Sequence, residues 1–275
     1  MPELPEVETV RRTLQQLIVG KRIERVTVRL ARIIQYPDPE QFSHALIGQT
    51  FREVARRGKF LRFRLDDLSL ISHLRMEGRY GVYDSNEQLE SHTHVIFHFD
   101  DHTELRYKDV RQFGTMHLFP LGSELERPPL LKLGVEPLDP NFTLALFKKL
   151  IIHRSTKIKP LLLNQEYIVG IGNIYVDESL FRARIHPERT ANSLSTAELK
   201  RLHGAIVDIL TQAVEAGGSS IKSYVNGQGE MGMFQQQLHI YGLKDKPCSS
   251  CGRPIEKMVV AGRGTHYCSS CQRYK

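Results

Sequence analysis

The chain contains four cysteines, Cys248, Cys251, Cys268 and Cys271, arranged as two C-x2-C pairs with sixteen residues between them. No other feature constrains the fold of its region so tightly. Each pair is a knuckle presenting two thiolates, and two knuckles at this separation close a tetrahedral zinc ribbon. The alternative, a pair of disulfides, requires an oxidising compartment that nothing else in the sequence suggests. Four thiolates leave no open coordination position, so the expectation is one structural Zn2+. Between the pairs, Val259 to Tyr267 reads as a β-hairpin whose tip carries Arg263 between Gly262 and Gly264. Neighbours without side chains let a phosphate backbone come close while the arginine forks onto it.

The 275 residues are enough for two ordinary domains. Hydrophobic content of 40% and charged content of 25% are those of a soluble globular protein. No apolar run approaches the ~20 residues that span a bilayer, and the first residues are too charged for a signal peptide. A cytoplasmic protein with no membrane partner is therefore expected. The net charge of +7 permits a polyanionic partner. From Asp245 to Lys275, six Lys/Arg stand against two Asp/Glu, so much of that charge sits with the ribbon.

At the other end, Val7, Val10, Leu14 and Leu17 recur at helical spacing, with Pro5 in the first turn, Glu6 and Glu8 beside it, and Gly20 as the stop. Burying that stripe holds Pro2 and Glu3 at a helix start, where a chain end would otherwise fray. A small second residue usually lets an initiator methionine be removed, leaving Pro2 as a free secondary amine. Such an amine titrates near ~8, so a useful fraction is neutral and nucleophilic.

Short alternating segments follow at Ile23–Val28, Phe51–Ala55, Leu61–Leu65, Leu68–Leu74, Tyr80–Tyr83, Val95–Phe99, Glu104–Tyr107 and Thr115–Phe119. Strands without intervening helices predict an antiparallel sandwich or barrel. A proline-rich stretch, 123–140, reads as a linker. Residues 141 to 217 read as helical, with a Ser195/Glu198 capping box opening the last helix and Gly217-Gly218 ending it. Asn173 opens a further helix after Gly170 and Gly172, where backbone N–H groups favour a phosphate. Residues 217–237 read as a long functional loop.

The quoted ends, together with Arg57-Gly58-Lys59-Phe60, Ser72-His73-Leu74-Arg75-Met76-Glu77-Gly78, Asp109-Val110-Arg111-Gln112-Phe113-Gly114 and Gly172-Asn173-Ile174-Tyr175-Val176-Asp177-Glu178, resemble the bacterial formamidopyrimidine-DNA glycosylase family. The resemblance runs in order along essentially the whole chain. It implies an α+β multidomain fold: a β-sandwich with its leading helix over 1–122, the linker 123–140, a helix-two-turn-helix domain over 141–240, and the zinc ribbon over 241–275.

It also implies roles. Pro2 would attack the sugar carbon of a damaged nucleotide, Glu3 would move protons at the sugar, and Glu6 and Asn173 would support the site. Lys59 would assist base removal and elimination, although the Arg56-Arg57-Lys59 run by itself reads as a solvated charge cluster. Arg263 would grip the phosphates and serve a second elimination. Met76, Arg111 and Phe113 would fill the gap left by a flipped base, although Met76 and Phe113 by composition read as core. His73, His92, Arg111, Arg154 and Tyr241 would contact DNA, and a loop including Ser219, Ile221, Lys222 and Tyr224 would close over the lesion. The sequence departs from many relatives at Gln112 and Arg154, where they carry lysine. The implied activity is excision of oxidised purines from double-stranded DNA by a monomer, followed by β,δ-elimination. An endonuclease VIII-like enzyme for oxidised pyrimidines and a non-catalytic damaged-DNA-binding zinc protein are the alternatives; Leu4 and the long loop favour the purine branch.

Overall fold

The computed structural model describes residues 1–219 and 232–274. The chain falls into two compact units, Met1–Leu131 with Gly217–Met233 and Lys132–Ala216 with Phe234–Lys275. The first unit contains α1 (Leu4–Ile18), β1 (Ile23–Val28), β2 (Ile34–Tyr36), α2 (Pro39–Leu46), β3 (Glu53–Arg57), β4 (Phe60–Arg64), β5 (Leu68–His73), β6 (Arg79–Asp84), β7 (Thr93–Phe99), β8 (Thr103–Lys108) and β9 (Thr115–Pro120). The strands form a four-stranded sheet, β1-β7-β8-β6, and a five-stranded sheet, β2-β9-β5-β4-β3.

Alternation decides which faces meet. In β4, Leu61 and Phe63 are buried while Arg62 and Arg64 are turned away; in β7, Val95, Phe97 and Phe99 are buried. Phe51 packs edge-on to Phe63 of one sheet at 5.7 Å and to Phe97 and Phe99 of the other at 6.1 and 6.0 Å, a favourable aromatic geometry. Helix α1 buries Val7, Val10, Leu14 and Ile18 in the same core.

Two elements differ from the sequence reading. β2 and α2 interrupt the expected strand series, and β2 pairs parallel to β9, whereas the other strand pairs are antiparallel. Asp38 caps α2 by accepting from the N–H groups of Glu40 and Gln41, both at 3.0 Å, and Pro39 takes the first turn. That is an ordinary helix-start signal.

The second unit contains α3 (Leu144–Ile151), α4 (Ile158–Leu163), α5 (Asn173–Ala183), α6 (Thr196–Glu215), β10 (Glu256–Val260) and β11 (Arg263–Tyr267). Its core includes Phe147, Leu162, Tyr175, Leu180, Leu202 and Leu210. The Ser195/Glu198 capping box forms, with Ser195 N–H donating to Glu198 Oε2 at 2.8 Å and Glu198 N–H to Ser195 Oγ at 3.3 Å. The proline-rich stretch is not slack. Glu124 is ion-paired with Arg62 at 2.6 Å in the first unit, and Val135 bridges Ile168 in the second.

Candidate active site and nucleic-acid interface

In the first unit the N-terminus is part of the packed structure. Pro2, Glu3 and Glu6 are all buried, and Met1 is half exposed. Glu3 is the N-cap of α1, and its N–H donates to Glu6 Oε2 at 2.8 Å. Such a reciprocal cap satisfies a helix-start donor and holds the preceding residue in place. Glu6 Oε1 in turn accepts from the N–H of Ser219 at 2.7 Å and from its hydroxyl at 3.1 Å. Gly218 permits this approach: its φ is +78, and a Cβ there would lie 2.8 Å from Glu6 Oε1. Ser219 is thus tied to the helix that carries Pro2. Ile221, Lys222 and Tyr224 lie outside the described residues.

Lys59 stands on the two-residue turn between β3 and β4, with Gly58 at φ 57 supplying the left-handed position. A lysine on a hairpin turn is normally solvated, yet Lys59 is only 6% exposed, contrary to the solvated-cluster reading. His73, buried in the adjacent strand, accepts the Arg75 N–H on Nδ1 at 2.9 Å and packs edge-on to Phe60. Burial, then the charges of Arg75 and Lys59, push its pKa down to about 3. His73 is therefore a neutral imidazole, able to donate from Nε2 without adding charge.

Met76 and Phe113, which composition alone assigns to the core, are 39% and 53% exposed. Arg111 lies over the Phe113 ring at 5.1 Å. Two residues that sequence reasoning passed over organise this surface. Asp109, fully buried, accepts from the N–H groups of Arg111 (3.1 Å), Phe113 (3.0 Å) and Gly114 (2.8 Å). Tyr107 donates its hydroxyl to the same carboxylate at 3.3 Å. A Cβ at Gly78 or Gly114 would come within 2.3 or 1.7 Å of that hydroxyl, so the loops carrying Met76 and Phe113 close on one side chain. Arg32 donates to the Gln112 side chain at the same loop. His92 is exposed, and its carbonyl accepts the Asp109 N–H at 3.0 Å.

In the second unit, β10 and β11 turn at Ala261 and Gly262, both at positive φ, as a two-residue hairpin loop demands. Arg263 opens β11 opposite Val260, one position past the expected tip, and is exposed. Asn173 begins α5 and donates its side-chain amide to Gly264 O at 2.8 Å, while its Oδ1 is buried without a partner. Tyr241 packs edge-on to His266 at 5.1 Å, and its N–H joins those of His239 and Ile240 on Glu178. Burial raises the Glu178 pKa against those hydrogen bonds. Arg154 is exposed and stacks over Tyr167 at 4.8 Å.

The ligand atoms of Cys248, Cys251, Cys268 and Cys271 lie within 4.8 Å of one another. The separations of 3.9 Å for Cys248–Cys271 and 3.5 Å for Cys251–Cys268 are too long for disulfides. Zn–S bonds of about 2.3 Å in tetrahedral geometry place thiolates at such mutual distances. The four residues fit one structural zinc.

Comparison with known proteins covers nearly the whole chain. Residues 1–116 match the formamidopyrimidine-DNA glycosylase N-terminal domain, 133–225 the H2TH domain of the same enzyme, and 245–273 the zinc finger found in FPG and IleRS. A formamidopyrimidine-DNA glycosylase from Brevibacillus brevis is 64% identical over 274 residues, covering 99% of each chain. That of Bacillus subtilis is 53% identical over 276 residues, covering 100% of each. Among solved structures, Lactococcus lactis Fpg bound to DNA containing N7-benzyl-Fapy-dG superposes with a TM-score of 0.93 at 43% identity, over 99% of this chain and 100% of that one. The same relative has also been solved with DNA containing an abasic site, again at a TM-score of 0.93 and 43% identity.

Proposed function

The chain belongs to the formamidopyrimidine-DNA glycosylase family of base-excision repair enzymes, and from that premise we propose that it excises oxidised purines from duplex DNA and then cleaves the abasic site. The observation that carries this reading is the built-in N-terminus: Pro2 and Glu3 are buried at a capped helix start. The amine exists once Met1 has been removed. It attacks the sugar C1′, and the damaged base leaves with the bond's electron pair and takes a proton. The attacking nitrogen gives up its proton, and the C1′–O4′ bond then opens, O4′ leaving with the electron pair and taking a proton. This yields an iminium ion with no nitrogen proton to lose, so the cation persists and acidifies C2′. Removal of a C2′ proton expels the 3′ phosphate, and a second elimination expels the 5′ phosphate. Glu3 moves protons at the sugar. Lys59, held out of solvent, assists base departure and elimination, and Glu6 steadies the terminus.

Unstacking the lesion costs a few kcal/mol. The exposed Met76 and the Arg111–Phe113 pair suit a wedge, with an apolar group in the gap and an arginine for the orphaned base. Arg263, His92, Arg154 and Tyr241 take phosphates, His73 contributes as a neutral donor, and Asn173 supports the hairpin that presents Arg263. Zinc, held by the four cysteines, supplies structure to that hairpin. No helix among the described residues is long and apolar enough to cross a membrane, and we take the enzyme to act as a monomer in the bacterial cytoplasm.

Base release from duplexes carrying 8-oxoguanine opposite cytosine, a formamidopyrimidine, or an oxidised pyrimidine tests the substrate class. Faster release of the two purine lesions is expected. A preference for the pyrimidine would move the chain to the endonuclease VIII-like class, and binding with no release would leave a damaged-DNA-binding protein.

A further inference from the structure

We propose that the buried Lys159–Asp177 pair is a positioning device for Arg263, fixing the backbone from which that arginine reaches a phosphate; this rests on the role given to Arg263 above. Lys159 on α4 and Asp177 on α5 both have fully buried side chains, with Nζ 2.7 Å from Oδ1. Neither is part of the wedge, the terminus or the zinc knuckles. A buried ion pair is weak grounds for a stabilising role, since apolar residues of similar volume often serve as well or better. Its other contacts indicate what the pair is for.

Both side chains also reach three consecutive residues of β11, Gly264, Thr265 and His266. Lys159 Nζ also donates to Thr265 Oγ1 at 2.8 Å and to Gly264 O at 3.2 Å. Asp177 Oδ2 accepts the His266 N–H at 2.9 Å. Asn173, one helical turn before Asp177 and so on the same face of α5, adds its amide to Gly264 O at 2.8 Å. The Thr265 hydroxyl, while accepting from Lys159, donates to the carbonyl of Arg263 at 3.0 Å. A continuous relay therefore runs from the buried ammonium through Thr265 to the backbone of Arg263, and the next carbonyl along is gripped by two donors. The Arg263 side chain itself remains exposed. The turn at Ala261 and Gly262 and the knuckles close the hairpin, whereas the ion pair sets its height and rotation on α5. A displacement of order 1 Å can cost about 10²-fold in a positioned reaction.

The test is the ratio of second- to first-elimination product on abasic-site duplex, measured with the zinc-loaded full chain. The variants are Arg263→Ala, Thr265→Val, and the paired Lys159→Met/Asp177→Leu, which removes both charges together and avoids leaving one buried alone. Thr265→Val breaks the relay and leaves the ion pair, so it reports even where the paired variant does not fold. The proposal expects the ratio to fall about 10-fold in the paired variant and several-fold in Thr265→Val, with zinc content and first elimination close to wild type. A wild-type ratio in Thr265→Val and in any folded paired variant, alongside a reduced ratio in Arg263→Ala, overturns the proposal alone. Equal loss of zinc, excision and both eliminations marks a structural pair and overturns it too. An unchanged ratio in Arg263→Ala removes the role of Arg263 and this inference with it.

Discussion

Replacing Asp109 by alanine should separate the opening of the duplex from the chemistry at the sugar. The carboxylate is fully buried and accepts three backbone N–H groups within the segment that carries Arg111 and Phe113. The Gly114 N–H is buried and has no ready substitute, whereas those of Arg111 and Phe113 are partly exposed and can take water. One orphaned buried donor costs about 1–3 kcal/mol, and each of the other two about 0.5–1.5 kcal/mol, giving a local cost of about 2–6 kcal/mol. Tyr107 also loses its acceptor, which loosens the loop at Gly78 and with it Met76. Single-turnover excision of 8-oxoguanine from duplex should therefore fall on the order of 10²-fold, which at 1.4 kcal/mol per factor of ten requires only about 3 kcal/mol of that cost to appear at the transition state. Elimination at a preformed abasic site, with no base to unstack, should change by less than about 3-fold. Asp109→Asn, which keeps one acceptor oxygen, should fall between. Equal losses on both substrates, or none on either, would refute the assignment of Asp109 as the support of the wedge.

Other perturbations follow from the same geometry. Gly218→Ala forces a Cβ at φ +78 to within 2.8 Å of Glu6 Oε1, so thermal unfolding should show a loss of about 1–3 kcal/mol and excision should slow several-fold. The pKa of His73 is depressed to about 3 in the folded protein. The unfolded chain therefore binds a proton below about 6.5 that the folded chain refuses, and stability should fall by up to about 1.4 kcal/mol per pH unit from there toward pH 3. His73→Gln should flatten the slope of stability against pH between about 6.5 and 5; an unaltered slope would place that titration elsewhere. Chelation, or Cys268→Ser, should remove zinc by elemental analysis and abolish duplex binding in a gel shift, with binding restored on zinc addition to the chelated protein.

What was legible in the sequence depended on distance along the chain. Cys248 to Cys271 could be read because ligand spacing is local, and Ser195 with Glu198 because a capping box spans four residues. α2 was hidden by its length and by Pro37 and Pro39, although Asp38-Pro39 carried the start signal. Met76 and Phe113 show where hydrophobicity points the wrong way: apolar composition puts them in a core, while the structure exposes them on loops held by Tyr107 and Asp109. Lys159 and Asp177 are eighteen residues apart, and their joint target lies about ninety residues beyond Asp177. No periodicity encodes such a pairing; only the packing of α4, α5 and β11 brings the groups together. Lys59 was conspicuous by resemblance, but its burial on a hairpin turn could not be read from the charge run around it.

The most direct test of the account is to locate the covalent bond to DNA. Protein processed to begin at Pro2 is reacted with 8-oxoguanine duplex in borohydride, which reduces the imine, and the adduct is mapped by peptide mass spectrometry. The account predicts a single adduct on the Pro2 nitrogen, absent from protein that retains Met1. An adduct on Lys59 or another lysine, or base release by processed protein with no trapped species, would contradict it.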